Sequence, residues 1–259
     1  LFSLLDMLFQ DPLRFFEYSL YRVPAVLIAL VLHEWAHGYV AFRLGDPTAK
    51  MMNRLSINPL RHLDPVGALL MFFFGFGWAR PVPVNPNYFK KPHRDDFLVS
   101  IAGITMNLCL FLAFTVLAAA LNNALWHPQI LRAYSLREML GVKDGFINYI
   151  LAGYGTEWSE FYANPGILWA VRLTSQIAMV NLYIAIFNLL PIPPLDGSHV
   201  LNDLILKKDN LYVSRQMANA GMAAVLILSY TGVLGKVMLF LANGVQSAVL
   251  VIVGALMGS

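Results

Sequence analysis

Apolar residues along this chain gather into long runs separated by short polar stretches, a spacing that a water-soluble core does not require. A bilayer core about 30 Å thick is crossed by about 20 apolar residues in a helix, and runs on that scale lie at residues 23–44, 97–126 and 166–190. A fourth run, 217–257, is long enough for two crossings and divides at Thr231-Gly232. Residues 65–78 are apolar but too short to cross, so they predict an element that returns to the side it left. The opening 1–16 mixes Leu and Phe with Asp6, Asp11 and Arg14, the pattern of a helix lying in the interface. It lacks the basic start and small-residue cleavage site of a signal peptide. The expected fold is an all-α polytopic membrane protein with about five to six transmembrane helices and a short re-entrant or β-hairpin element near residues 65–90. The expected layout is an interfacial segment at 1–22, a membrane core at 23–206 interrupted by an extramembrane insertion at 127–165, and C-terminal transmembrane helices at 207–259.

Composition supports the same reading. Hydrophobic residues make up 58% of the 259 and charged residues 13%, about half the charged share of a soluble domain, and mean hydropathy is +0.60. The outer surface must therefore face lipid. A formal charge of +3 raises the question of nucleic acid, but the basic residues are scattered between apolar runs and form no stripe, which excludes that partner. They act instead as topology signals. Arg43, Lys50, Arg54, Arg61, Arg80, Lys90, Lys91, Arg94, Lys207, Lys208 and Arg215 fall on one side, eleven of the 18 Lys and Arg, and the excess of positive charge makes that side cytoplasmic. Cys109 stands alone inside an apolar run, so the chain has neither a disulfide framework nor a thiolate metal cluster. No internal repeat is visible, which argues against a transporter built from inverted halves.

Within the first span the sequence reads Leu32-His33-Glu34-Trp35-Ala36-His37-Gly38. Positions four apart share a helix face, so His33 and His37 can offer imidazole nitrogens to one zinc ion, with Glu34 placed to act on a water. Ionisable groups in the middle of a span cost a few kcal/mol and are functional by default. Zinc needs a third protein ligand. The third span ends at Asn188-Leu189-Leu190 and runs into Pro191-Ile192-Pro193-Pro194-Leu195-Asp196-Gly197, where three prolines break the helix. Non-helical backbone at membrane depth lines a wet cavity or is buried in protein, so Asp196 is a candidate ligand. On spacing alone Asp46, Asp64 and Asp203 rival it, and Asp196-Gly197 also reads as a plain turn.

HEWAH at 33–37 together with NLLPIPPLDG at 188–197 resembles the site-2 protease family of intramembrane zinc metalloproteases, whose defining pair is HExxH and NxxPxPxxDG in separate transmembrane segments. The likeness runs from about Val23 to Asn202 and includes Asn58 to Pro65 and Gly77 to Pro86, as in the small microbial members without PDZ or CBS domains. The resemblance implies one Zn2+ per chain held by His33, His37 and Asp196, with Glu34 as the general base. It further implies a substrate that is the transmembrane helix of another membrane protein, cut within the lipid bilayer of a microbial plasma membrane. With the charge asymmetry, the active site is expected to open to the cytoplasm. One departure is Gly103-Ile104-Thr105-Met106-Asn107, where the family usually has Gly-Pro-x-x-Asn.

Asn188 is expected to contact a substrate carbonyl or the oxyanion, and so is Asn107, for which interhelical hydrogen bonding is the alternative; for Gln176 and Asn181 such bonding is the expected role. Arg80 to Asn85 alternates in a way that suits an edge strand, and Val82 and Val84 are expected to pair with an extended substrate. His62 and Asp64 read as loop hydrogen-bonding residues. Two other functions use the same His, His and Asp: a membrane metal-ion transporter or channel, and a non-catalytic scaffold. The first would need further ionisable residues along a path through the other helices, which offer mainly Arg172, Lys236 and amides. The second would betray itself by a missing Glu or ligand, and none is missing.

Overall fold

The structure is a computed structural model that describes residues 3–74, 79–206 and 214–257. Helix α1 (Ser3–Gln10) is followed by α2 (Pro12–Arg43), α3 (Pro65–Phe74), α4 (Pro92–Leu125), α5 (Leu168–Leu189), α6 (Asp196–Leu201), α7 (Arg215–Tyr230) and α8 (Val233–Met257), with short helical turns between them. Four helical segments among the described residues are long and apolar enough to cross a membrane: Pro12–Arg43, Pro92–Leu125, Pro165–Leu189 and Val233–Met257. The expected count was five to six. The difference lies at α7, whose 16 residues reach about 24 Å at 1.5 Å each, short of a full crossing. Lys207 and Lys208 lie outside the described residues.

The N-terminal boundary also differs. Asp11 Oδ1 accepts the Arg14 N–H at 3.1 Å, an N-cap for a helix whose first residue, Pro12, has no N–H to waste. That helix then runs unbroken through Pro24 to Arg43, so residues 12–22 are its opening turns and not a separate element. At its other end α5 stops at Leu189, before Pro191-Ile192-Pro193-Pro194, which cannot continue an α-helix.

By contact density the chain divides into two units. One comprises Leu1–Val26, Cys109–Leu182 and Val237–Ser259, and the other Leu27–Leu108 and Tyr183–Lys236. The first holds an apolar core that includes Leu125, Trp126, Met139, Ile147, Val171 and Leu250. The stretch 127–165 contributes to it through short helices, one of them opened by a capping box in which Ser135 and Glu138 bond reciprocally. Asn181, on α5, donates to the Ile177 carbonyl of its own helix at 2.8 Å.

The second unit carries the HEWAH and NLLPIPPLDG motifs of the sequence. Asp64 caps α3 by accepting the Gly67 N–H at 2.8 Å, and His62 bonds the Ser56 carbonyl through Nε2; both are loop-ordering residues, as expected. No strand forms near 65–90 among the described residues, and Gly77 and Trp78 lie outside them. Residues 79–85 instead form an irregular strap held by side chains. Arg54 Nη2 donates to the carbonyls of Arg80 and Pro81 at 2.7 and 3.2 Å, and Asp46 Oδ2 accepts the Asn85 N–H at 2.7 Å. Pro81 and Pro83 lack the N–H groups that a paired strand would donate, which is why side-chain anchors take the place of a hairpin partner.

Candidate active site

Every residue of the site belongs to the second unit. His33 and His37 stand one turn apart on α2, 5% and 9% exposed, with ring centroids 4.6 Å apart. Asp196 begins α6, after the proline break, and its Oδ2 lies 3.2 Å from His33 Nε2 and 3.3 Å from His37 Nε2. The two Nε2 atoms are 3.0 Å apart. The other rivals for the third position are engaged elsewhere: Asp46 with Thr48 and Asn85, Asp64 with Gly67, and Asp203 with His93 at 3.0 Å.

The hydrogen-bond partners decide which nitrogens carry protons. His37 Nδ1 lies 2.7 Å from the Val99 carbonyl, which can only accept, so the neutral ring carries its proton on Nδ1 and leaves Nε2 its lone pair. His33 Nδ1 lies 2.6 Å from Asn107 Oδ1. The amide is fixed that way round because its Nδ2 donates to the Ala29 carbonyl at 3.2 Å, so His33 too presents a bare Nε2. Three acceptor atoms thus converge, and Asp196 Oδ2 is buried without a hydrogen-bond donor. One added proton bridges two of them; a tetrahedral cation satisfies all three. Ligands about 2.0–2.1 Å from tetrahedral zinc lie about 3.3 Å from one another, close to the separations seen. The nitrogen and oxygen donor set, with each imidazole oriented from behind, fits zinc.

Glu34, 9% exposed, follows His33 on α2 and accepts the Val82 N–H through Oε2 at 2.8 Å. The strap is thereby drawn against the helix that carries the histidines. Val82, expected to offer its backbone to a substrate, has its N–H engaged with Glu34. Glu34, His33, His37 and Asp196 line a cavity of about 600 Å³ together with Val82, Val84, Phe187, Asn188 and Met222. Asn188 reaches this cavity, and its Nδ2 donates to the Ile184 carbonyl one turn back at 3.1 Å. Asn107 does not line it. It is fully buried, with its amide bonded to His33 and to the Ala29 carbonyl.

Two supports of the site escaped sequence reasoning. The Val99 carbonyl is a backbone group and leaves no trace in residue type. Gly103 could have been flagged, because a glycine inside a helix costs about 1 kcal/mol against Ala and asks for a reason. A Cβ there would lie 2.5 Å from His37 Nε2 and 2.6 Å from His33 Cε1. Gly103→Ala is therefore expected to push both imidazoles off their positions and to lower bound zinc in the purified protein. Elemental analysis showing wild-type zinc in that variant would refute the close approach.

Comparison with known proteins agrees with this geometry. Peptidase family M50 matches residues 21–231. Over 197 residues, 74% of each chain, the protein is 39% identical to "Putative zinc metalloprotease YwhC" of Bacillus subtilis (strain 168). It is 27% identical over 192 residues to "Putative zinc metalloprotease Rip2" of Mycobacterium tuberculosis (strain ATCC 25618 / H37Rv), covering 72% of this chain and 58% of that one. The Rip2 of Mycolicibacterium smegmatis (strain ATCC 700084 / mc(2)155) is 28% identical over 122 residues, 45% of each. No solved structure matches the chain significantly. With a family match that spans most of its length and a His, His and Asp cluster fit for metal, this chain is a membrane zinc metalloprotease and belongs to peptidase family M50, the site-2 proteases.

Proposed function

We propose that the protein hydrolyses a peptide bond within or near the transmembrane helix of a membrane-protein substrate, with one zinc ion held by His33, His37 and Asp196. The observation that carries this reading is the convergence of Nε2, Nε2 and Oδ2 at 3.0–3.3 Å beside Glu34. When bound, zinc supplies an acidified water and polarises the carbonyl to be attacked. Glu34 takes the proton of the attacking water and returns it to the leaving amine nitrogen. The Val82 N–H fixes the direction of the Glu34 carboxylate for that transfer, and Asn188, at the cavity wall, is placed to steady the carbonyl oxygen of the substrate. The cavity is mostly apolar, suited to side chains from a membrane span. A helical peptide bond is shielded by its own hydrogen bonds, so the substrate unwinds locally before attack. Val84 offers its backbone to that unwound segment.

The reading includes an orientation. Loop 44–64 and the segment 79–94 face the cytoplasm, and His37 lies seven residues, about 10 Å of helix, from Leu44. Single cysteines at Lys50 and Lys91, in a Cys109→Ser background, are expected to react with a membrane-impermeant thiol reagent only from the cytoplasmic side. Labelling of both from outside intact cells inverts the topology. The function itself is tested by co-expression with a panel of single-span membrane proteins: cleavage fragments are expected with wild type and not with a Glu34 variant, and no cleavage of any panel member by wild type speaks against it.

A further inference from the structure

Asp196 is delivered to the two histidines by α6, a helix of six residues. Its N-cap residue, Leu195, makes no side-chain cap, and the segment before it is a proline-rich break. Such a helix cannot set its own direction. At one point it is pressed in place by Gly197, where any Cβ would run into the carbonyl of Leu189. That contact fixes closeness but leaves rotation open.

The facing stripe of α4 supplies the rest. His93, Asp96, Val99, Gly103 and Asn107 recur at three- and four-residue intervals, which puts them on one helix face. Gly103, Val99 and Asn107 serve the histidines, as described. On the other side, Asp196, His199 and Asp203 are spaced by three and four along α6 and the π-helical turn Asn202–Leu206 that continues it. The two stripes meet in antiparallel register: His199 Nδ1 lies 2.9 Å from Asp96 Oδ2, and His93 Nδ1 lies 3.0 Å from Asp203 Oδ1. The carboxylates are buried, Asp96 at 5% and Asp203 at 6% exposure, so neither pair is a loose surface contact. The hydrogen bond that His199 donates to Asp96 raises the imidazole above its ordinary range, against the effect of burial. Burial raises Asp203, His93 opposes that, and the nearby Asp96 adds to it.

We propose that Asp96 and His199, backed by His93 and Asp203, are positioning residues for the metal centre. Their two carboxylate–imidazole pairs lock α6 onto the opening turns of α4 and so set where Asp196 meets His33 and His37. One face of α4 thereby gauges all three metal-facing side chains: His33 through Asn107, His37 through Val99, and Asp196 through Asp96. The proposal rests on the reading of those three side chains as the zinc ligands. The geometry of the site is thereby set by a helix that contributes no ligand of its own.

The test uses the full chain in detergent, stripped of metal and titrated with Co2+ alone, read by its d–d absorption. His33→Ala and wild type are compared first. If wild type takes up no Co2+ that depends on His33, the ligand reading fails and this proposal with it. If it does, Asp96→Asn and His199→Gln are each expected to weaken Co2+ binding about ten- to a hundredfold, the range for outer-shell changes, and to shift the cobalt bands. The reciprocal pair Asp96→His with His199→Asp is expected to recover part of the affinity. Wild-type affinity and spectrum in both single variants overturn the proposal while leaving the ligand assignment standing. So does weakened binding with unchanged bands and no recovery in the reciprocal pair, which marks general instability. If Asp96→Asn does not accumulate as folded protein, His199→Gln decides alone by the same criteria.

Discussion

Glu34→Gln is expected to retain zinc and to lose hydrolysis by about a hundred- to ten-thousandfold, the usual worth of a positioned general base. The amide keeps the size of the carboxylate, and its oxygen can still accept the Val82 N–H that Glu34 Oε2 accepts at 2.8 Å. The strap therefore stays in place, and His33 and His37 keep their supports at Asn107 and Val99. What is lost is the ability to take a proton. Zinc content and turnover of a cleaved substrate are measured on the same preparation, so a structural collapse is told apart from a chemical defect. Residual cleavage near the wild-type rate in a zinc-replete Glu34→Gln protein removes Glu34 from the role of base.

Asp196→Ala is expected to lower zinc affinity by more than about 100-fold, beyond the span of outer-shell changes, because it removes one of three protein donors. The position offers no substitute. Asp46, Asp64 and Asp203 are held by Asn85, Gly67 and His93, so no neighbouring carboxylate among them swings in without breaking its own bonds. Competition with a metal-sensitive dye measures the loss. Full zinc in the Asp196→Ala protein at dye concentrations that strip a His33→Ala control sends the search for a third ligand elsewhere.

Much of this was legible along the chain because it is local. Bilayer-length apolar runs mark α2, α4, α5 and α8, and the four-residue spacing of His33 and His37 forces them onto one face whatever the rest of the chain does. Loop residues His62 and Asp64 fell where their types suggested. Boundaries fared less well, since hydropathy reports what a segment faces and not where its hydrogen bonding starts: the Asp11 cap and Pro12 begin α2 well before its apolar run. At 79–85 the alternation of Pro and Val suggested a strand edge, but a strand needs a partner, and the backbone there found Arg54, Glu34 and Asp46 instead.

By itself, the sequence determined the chemistry of the parts: a membrane setting, two imidazoles one turn apart, a carboxylate between them and a broken helix ending in Asp-Gly. Those features depend on residue type and on spacings of a few residues, which the helix period converts directly into shared faces. Only the tertiary structure decided which distant group completes the site. Asp196 stands about 160 residues from the histidines, and it is the carboxylate that packing brings within 3.3 Å of both imidazoles, while Asp46, Asp64 and Asp203 bond to Asn85, Gly67 and His93. It likewise decided that Asn107 bonds His33, that Val99 lends a carbonyl to His37, and that Gly103 leaves room for both rings. These are contacts between segments remote in sequence, and a backbone carbonyl or a missing side chain acquires a role only when another helix is brought against it.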